Sequence, residues 1–262
     1  MTRKQRDARR RLVIERENAL ADLSEDYDVA RASAESDEER RELMTTFAAA
    51  RTAHRDKDVE LGIRSAQGGV LMGHVMWAQW LQAAEAHRAA AEAEFTRIDA
   101  GDTSRLGSEL RESMVAFAAA ASVVDALCQD LEYLVPPRPR SNSADEAAAD
   151  LLVHALGIQQ SDVGPLKNEL EELFGARHGA LHAFSEMRPA RAHPVGVATS
   201  WEHEIFNGPT ATQAVLVALR VLAIAEAPPQ PANRWIARWI TKRERYFTQV
   251  VAPIRSRVLA QD

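Results

Sequence analysis

Residues 110–135 read LRESMVAFAAAASVVDALCQDLEYLV, and this stretch decides the fold class. Leu110, Met114, Phe117, Ala121, Val124, Cys128, Leu131 and Val135 recur in alternating steps of four and three. That spacing holds the apolar side chains on one side of an α-helix. Alanine, the strongest helix former, fills many of the gaps. Pro136-Pro137 ends the pattern, because proline lacks the amide donor a continuing helix needs. Upstream, Trp77, Leu81, Ala84, Arg88, Ala91, Phe95 and Ile98 keep the same rhythm, and Gly101-Asp102 closes it. Two such seams predict long helices packed on each other, with Thr103 or Ser104 capping the second.

Working outward, Leu12, Leu20, Leu23 and Tyr27 fall at helical spacing. Ser36-Asp-Glu-Glu39 then reads as a capping box opening a helix with Leu43, Phe47 and Ala50 on its stripe. Together they predict an antiparallel hairpin. Gly68-Gly69 interrupts the chain, and the apolar run Gly68–Leu81 is too short for the ~20 residues of a membrane span, so it reads as part of a buried helix. Beyond the Pro-rich connection 136–143, residues 145–156 predict a short helix. Asp162 is the expected N-cap of the next, with Pro165 in its first turn and Leu166, Leu170, Leu173 and Phe174 on one face. Residues 186–207, with Pro189, Pro194 and Gly196, form a long loop, and loops of that length are often functional. From Asn207-Gly-Pro209 a helix apolar almost all round is expected at the centre of a bundle. Past APPQP comes a basic, aromatic C-terminal helix. The expected fold is all-α: a helical bundle with an N-terminal helical hairpin and a C-terminal basic helix. The segments are 1–66, 67–227 and 232–262.

The 262 residues are 46% hydrophobic and 27% charged, with net charge -6, so a sizeable core can be buried. Cys128 is the only cysteine. No intrachain disulfide can form, which suits a reducing compartment, and Cys128 on the apolar stripe reads as a small buried hydrophobe. The basic N-terminus lacks the apolar region of a secretory signal, so a cytoplasmic protein without a membrane span is expected. The first sixteen and last thirty or so residues are basic, whereas 17–60 and 144–173 are acidic. These are solvated helix faces, or basic ends that approach a polyanion. There is no Gly-rich phosphate loop, Ser-His-Asp arrangement, Cys-His nucleophile or nucleotide fingerprint, which argues against kinase, dehydrogenase, hydrolase-fold and GTPase chemistry. No cofactor is expected.

The segment that could carry chemistry is Arg177-His178-Gly179-Ala180-Leu181-His182. Arg177 lies eleven residues after Leu166, close to the same helix face. An Arg on a buried stripe carries a desolvation cost, so it needs a carboxylate, an interface or a cleft. The segment resembles the HEPN superfamily, helical bundles of prokaryotic toxins, defence systems and RNA-processing enzymes. Their signature is Arg, four to six residues, then His, with a polar residue after the Arg. Here Arg177 and His182 match, and His178 takes the polar slot where Asn or Asp is more usual. The resemblance runs loosely from about Leu110 to Ala225, within a HEPN-like region starting near 104. Arg188 and His193 also fit the spacing, but Pro189 places that pair in a loop.

The resemblance implies metal-independent endoribonuclease activity, in a toxin or defence component with an antitoxin or other protein partner. It implies a homodimer whose two motifs share one cleft. His182 would take the proton of a ribose 2′-hydroxyl, Arg177 would clamp the phosphate, and His178 would orient the pair or act as second acid/base. Other readings stay open. His178 and His182, one turn apart, could ligate a metal completed by His193, Glu202 or His203. The amphipathic helices also suit a non-catalytic interaction module or scaffold. In the C-terminal helix, Arg234, Arg238 and Arg243 with Trp235 and Trp239 suit RNA stacking and phosphate contact, a membrane interface, or simple packing on the bundle.

Overall fold

Strong helix formers fill both N-terminal segments, and both are helical: α1 (Arg3–Ser33) and α2 (Asp37–Glu60). The structure, a computed structural model, describes residues 3–61, 75–135, 143–181 and 190–260. Ser36 caps α2, its hydroxyl accepting from the Glu39 amide at 3.2 Å. Glu39 reaches back to the Glu35 amide rather than to that of Ser36, a variant of the expected capping box. Tyr27 stacks on Phe47 at 4.3 Å, which sets the antiparallel register of the two helices. Near the open end, Arg16 donates to Asp58 and to the His54 carbonyl, each at 2.8 Å. The chain divides into two compact units, Met1–His74 and Val75–Asp262. The C-terminal helices therefore belong to the bundle's unit rather than standing as a separate segment.

The second unit is built on the two seams, α3 (Met76–Asp99) and α4 (Leu106–Glu132). A short 3-10 turn, Thr103–Arg105, precedes α4. Its cap is Asp102 rather than Thr103 or Ser104: the Asp102 carboxylate accepts from the Ser104 amide at 3.3 Å and hydroxyl at 2.5 Å. The bond from Ser104, with a second from Arg105, holds that exposed carboxyl below the usual Asp range. Along α3 every seam residue but Phe95 is buried, including Arg88 at 1% exposure. Arg88 is tolerated there because Glu85, one turn back, takes two of its donors, at 2.7 and 3.2 Å.

α5 (Ala144–Leu156) starts at Ser143 and ends at Gly157, whose φ of +64° is the left-handed stop that glycine favours. A side chain there would also strike the Gln230 carbonyl, at 2.1 Å. α6 (Gln160–Leu181) begins two residues before the expected cap, so Asp162 lies inside its first turn, where a carboxylate suits the helix dipole. Leu166, Leu170, Leu173 and Phe174 are its buried stripe, as the spacing predicts. The connection that follows carries a two-residue antiparallel ladder, β1 (Arg191–Ala192) with β2 (Ala198–Thr199), and the short α7 (Glu202–Ile205).

α8 (Gly208–Glu226) is central, capped by a full box between Asn207 and Thr210. Ala91, Ala116 and Ala211 meet at zero exposure, where small side chains let α3, α4 and α8 approach closely. α9 (Arg234–Tyr246) leads into a π-helical turn, Phe247–Val251, and then α10 (Ala252–Leu259). Pro253 cannot donate to the carbonyl one turn back, and the Ala252 amide bonds five residues back to Phe247. Phe247 stacks on Trp77 at 5.2 Å, tying this segment to α3.

Two helical stretches, Thr103–Glu132 and Gly208–Glu226, are long and apolar enough to cross a membrane by length and composition. Their apolar residues form the centre of the bundle core, which accounts for the same composition. The run Gly68–Leu81 lies partly outside the described residues; its described part, from Val75, opens α3 with Trp77, Ala78 and Leu81 fully buried.

Candidate functional site

The stripe that anchors α6 also delivers Arg177. Two turns beyond Leu170 the helix is leaving the core, and Arg177 emerges at its edge with 30% of its side chain exposed. Its Nη1 donates to Asp125 Oδ2 of α4 at 2.5 Å. This is the carboxylate partner that an Arg on the buried stripe requires. The guanidinium also lies 5.9 Å from the Phe174 ring centroid, so an aromatic floor and a carboxylate together fix its plane. Asp125 is a lone acid within the alanine-rich run AFAAAASVVDALC, and it keeps 34% of its side chain exposed.

His178, the next residue, is exposed. Arg177 and His178 line one groove of about 880 Å³, bounded by the start of α5 and the outer face of α6. Its charged lining includes Asp145, Glu146 and Glu171 against Lys167 and Arg177. Three acids thus stand against two permanent bases along the walls, and Lys167 itself contacts Asp150 at 3.2 Å. Beside the groove, Leu110, Arg111, Met114, Val115 and Leu181 line a second, shallower apolar hollow of about 320 Å³. Leu181 is 60% exposed and Val115 38%. His182 lies outside the described residues, one position after the last residue of α6. Arg188 lies outside them as well.

The second Arg/His pair resolves differently. His193 is buried in the core face of the ladder segment, where its Nε2 meets Glu109 Oε2 at 2.8 Å and its Nδ1 accepts from the Val195 amide at 3.3 Å. It is a structural histidine. His203 Nδ1 lies 3.0 Å from the Ser200 hydroxyl. Among the described residues no three His, Cys, Asp or Glu side chains converge as a metal site.

The C-terminal helix corrects the expectation in part. Trp239 is only 6% exposed and packs against Phe247 at 6.2 Å, so it is core and cannot stack on a base. Arg243 lies over Trp239 at 6.0 Å and pairs with Asp130 of α4 at 3.6 Å, which turns it inward. Trp235 is half-buried, with Arg234 and Arg238 against its ring at 4.4 and 4.9 Å. Of the five residues, Arg234, Trp235 and Arg238 form the outward cluster. Asp125, which pairs with Arg177, and Glu109, which holds His193, are the acids that periodicity missed; both stand off the apolar seam of α4.

The architecture is that of an all-α helical bundle. The chain matches no protein-family model, no curated protein and no solved structure.

Proposed function

We propose that this chain is a HEPN-like, metal-independent endoribonuclease whose site lies at the C-terminal end of α6. The observation that carries this reading is the placement of Arg177 and His178 side by side on one open groove, with Arg177 oriented by Asp125. An oriented, half-exposed guanidinium is suited to a phosphate, which it binds through two parallel N–H donors. His182 supplies the general base, taking the proton of the ribose 2′-hydroxyl as its oxygen attacks phosphorus. The 5′-oxygen of the next nucleotide leaves with a proton from an acid, the role given to His178, and a 2′,3′-cyclic phosphate remains. A homodimer in which two such motifs share the substrate fits the apolar hollow beside Arg177, where Val115 and Leu181 are exposed. Toxin or defence biology, with an antitoxin or other partner, belongs to the same proposal.

The acidic groove walls and the Arg177–Asp125 pair favour a second reading, a non-catalytic interaction module. Carboxylates repel a polyanion, and a paired Arg offers it less charge. The experiment that separates the two incubates labelled mixed RNA with the protein in excess EDTA, beside the Arg177→Ala/His182→Ala variant. Cleavage by the wild type alone, with cyclic phosphate ends, is the expected result. Cleavage that survives both substitutions removes the assignment, and absence of cleavage by the wild type across a panel of RNAs shifts it to the interaction module.

A further inference from the structure

The N-terminal hairpin does not close a core of its own. Tyr27 of α1 stacks on Phe47 of α2, and Val13, Leu20 and Leu23 fall at helical spacing with Tyr27 as Leu43 does with Phe47, yet each of the six stays only half-buried. The only buried side chains described in these two helices and their turn are Ala34 and Asp58. Met44 is 57% and Val29 66% exposed. A groove of about 500 Å³ runs along the hairpin beside Leu20, Met44, Phe47 and Ala48, and passes His54. The His54 side chain is 10% exposed, and neither ring nitrogen makes a hydrogen bond, though Nδ1 lies 3.4 Å from Asp58. Two helices expose too much of a shared seam to be stable alone; a second pair is the smallest addition that covers it.

Charge along the hairpin says what that second pair is. Residues 3–17, at the open end, carry seven Lys or Arg against three acids. Residues 18–46, around the turn, carry nine acids against three Arg. Residues 47–60, back at the open end, are balanced, three against three, with Arg51, Arg55 and Lys57 as the bases. The hairpin is therefore a longitudinal dipole, basic at the open end and acidic at the turn. A two-fold axis across its middle sets each basic end against an acidic turn, so the surface is complementary to itself. The face is about 36 Å long for 24 residues of helix and about 20 Å wide for two helices. That is about 700 Å² per copy, close to the ~800 Å² per partner of a standard stable interface.

We propose that two copies of this chain associate through their N-terminal hairpins, antiparallel, to complete a four-helix bundle. The partner's acidic turn lies over the open end, where Arg51 and Arg55 are exposed. This association is independent of the ribonuclease reading and is measured without RNA.

Sedimentation equilibrium of the full chain is expected to show self-association, and the share owed to the hairpins, as distinct from the α6 face, is read from charge variants. Arg51→Glu/Arg55→Glu and, separately, Glu38→Lys/Glu42→Lys alter only exposed side chains. Each is expected to weaken the dimer about tenfold by setting like charges against each other at both ends. An equimolar mixture of the two variants restores opposite charges at both ends, and its dimer should return to within about threefold of wild type. Should a reversal lower the helical circular dichroism signal, Arg51→Gln/Arg55→Gln carries the same test with a smaller expected loss. A monomer at all concentrations, a dimer indifferent to both variants, or a mixture no tighter than its components overturns the proposal.

Discussion

Glu109 of α4 and His193 of the ladder segment meet at 2.8 Å with neither side chain exposed. The other Glu109 oxygen accepts from the Gly208 amide at 3.0 Å, at the first turn of α8. One carboxylate thus holds both the loop after α6 and the start of the central helix. Removing it strands an imidazole and a backbone amide in a dry environment. Glu109→Ala is expected to destabilise the bundle by about 3 kcal/mol, the size of breaking a buried pair from one side. Glu109→Gln keeps an acceptor and should cost less. Urea denaturation followed by circular dichroism checks the order; equal stability of all three proteins rejects the role.

At Gly208 the first turn of α8 lies close against α3. A Cβ there would lie 2.8 Å from Phe95 Cβ and 3.2 Å from the Glu92 Cα. One of these atoms is backbone, so the helix has to move as a body. Gly208→Ala is expected to cost about 1–3 kcal/mol despite its better helix propensity, and Gly208→Val more. A melting temperature raised by alanine would show that α8 has slack at this end.

The helices were legible because one period runs through each of them. The seams of 77–98 and 110–135 repeat in steps of three and four, and burial follows most of those positions; Phe95, Leu110, Met114 and Cys128 are only half-buried, so Cys128 is not the buried hydrophobe its place on the stripe predicts. Helix starts were less legible: Asp102 rather than Thr103 caps the 3-10 turn, and α6 starts before Asp162, because several nearby polar residues can serve equally well. The site was legible only in its local part. That Arg177 needs a carboxylate, an interface or a cleft follows from its place on the α6 stripe. That the carboxylate is Asp125 depends on how α4 and α6 cross, which no local pattern encodes. Trp239 misled for a related reason. Tryptophan and arginine alternate through α9, and only the packing of Phe247 beneath it shows which tryptophan points inward.

The Arg177–Asp125 pair yields a charge prediction. Asp125 cancels part of the positive field that a phosphate would meet at the end of the groove. Asp125→Asn keeps the shape and removes the charge, so RNA affinity at low salt is expected to rise about threefold to tenfold. The steeper fall of log affinity with log salt should match about one additional phosphate contact. Fluorescence anisotropy at two ionic strengths measures both. Unchanged affinity, with Arg177→Ala equally silent, detaches this end of α6 from nucleic acid and supports a protein partner.

The two tryptophans of α9 separate stability from binding. Trp239 of α9 packs against Phe247 and is almost wholly buried, so truncating it leaves a cavity in the core. Trp239→Ala is expected to cost about 3–5 kcal/mol. Trp235 lies half-buried on the outside with two guanidinium groups against its ring, so Trp235→Ala should lose about 1 kcal/mol or less in stability. If Arg234, Trp235 and Arg238 form an RNA surface, the same substitution weakens RNA binding, because a ring that orders two arginines has been removed. Base stacking on the exposed edge would add about 1–3 kcal/mol to that loss. Thermal melts and anisotropy on the pair of variants give a two-by-two comparison. A Trp235→Ala protein that melts like wild type and binds RNA like wild type leaves α9 as a packing helix with solvated arginines.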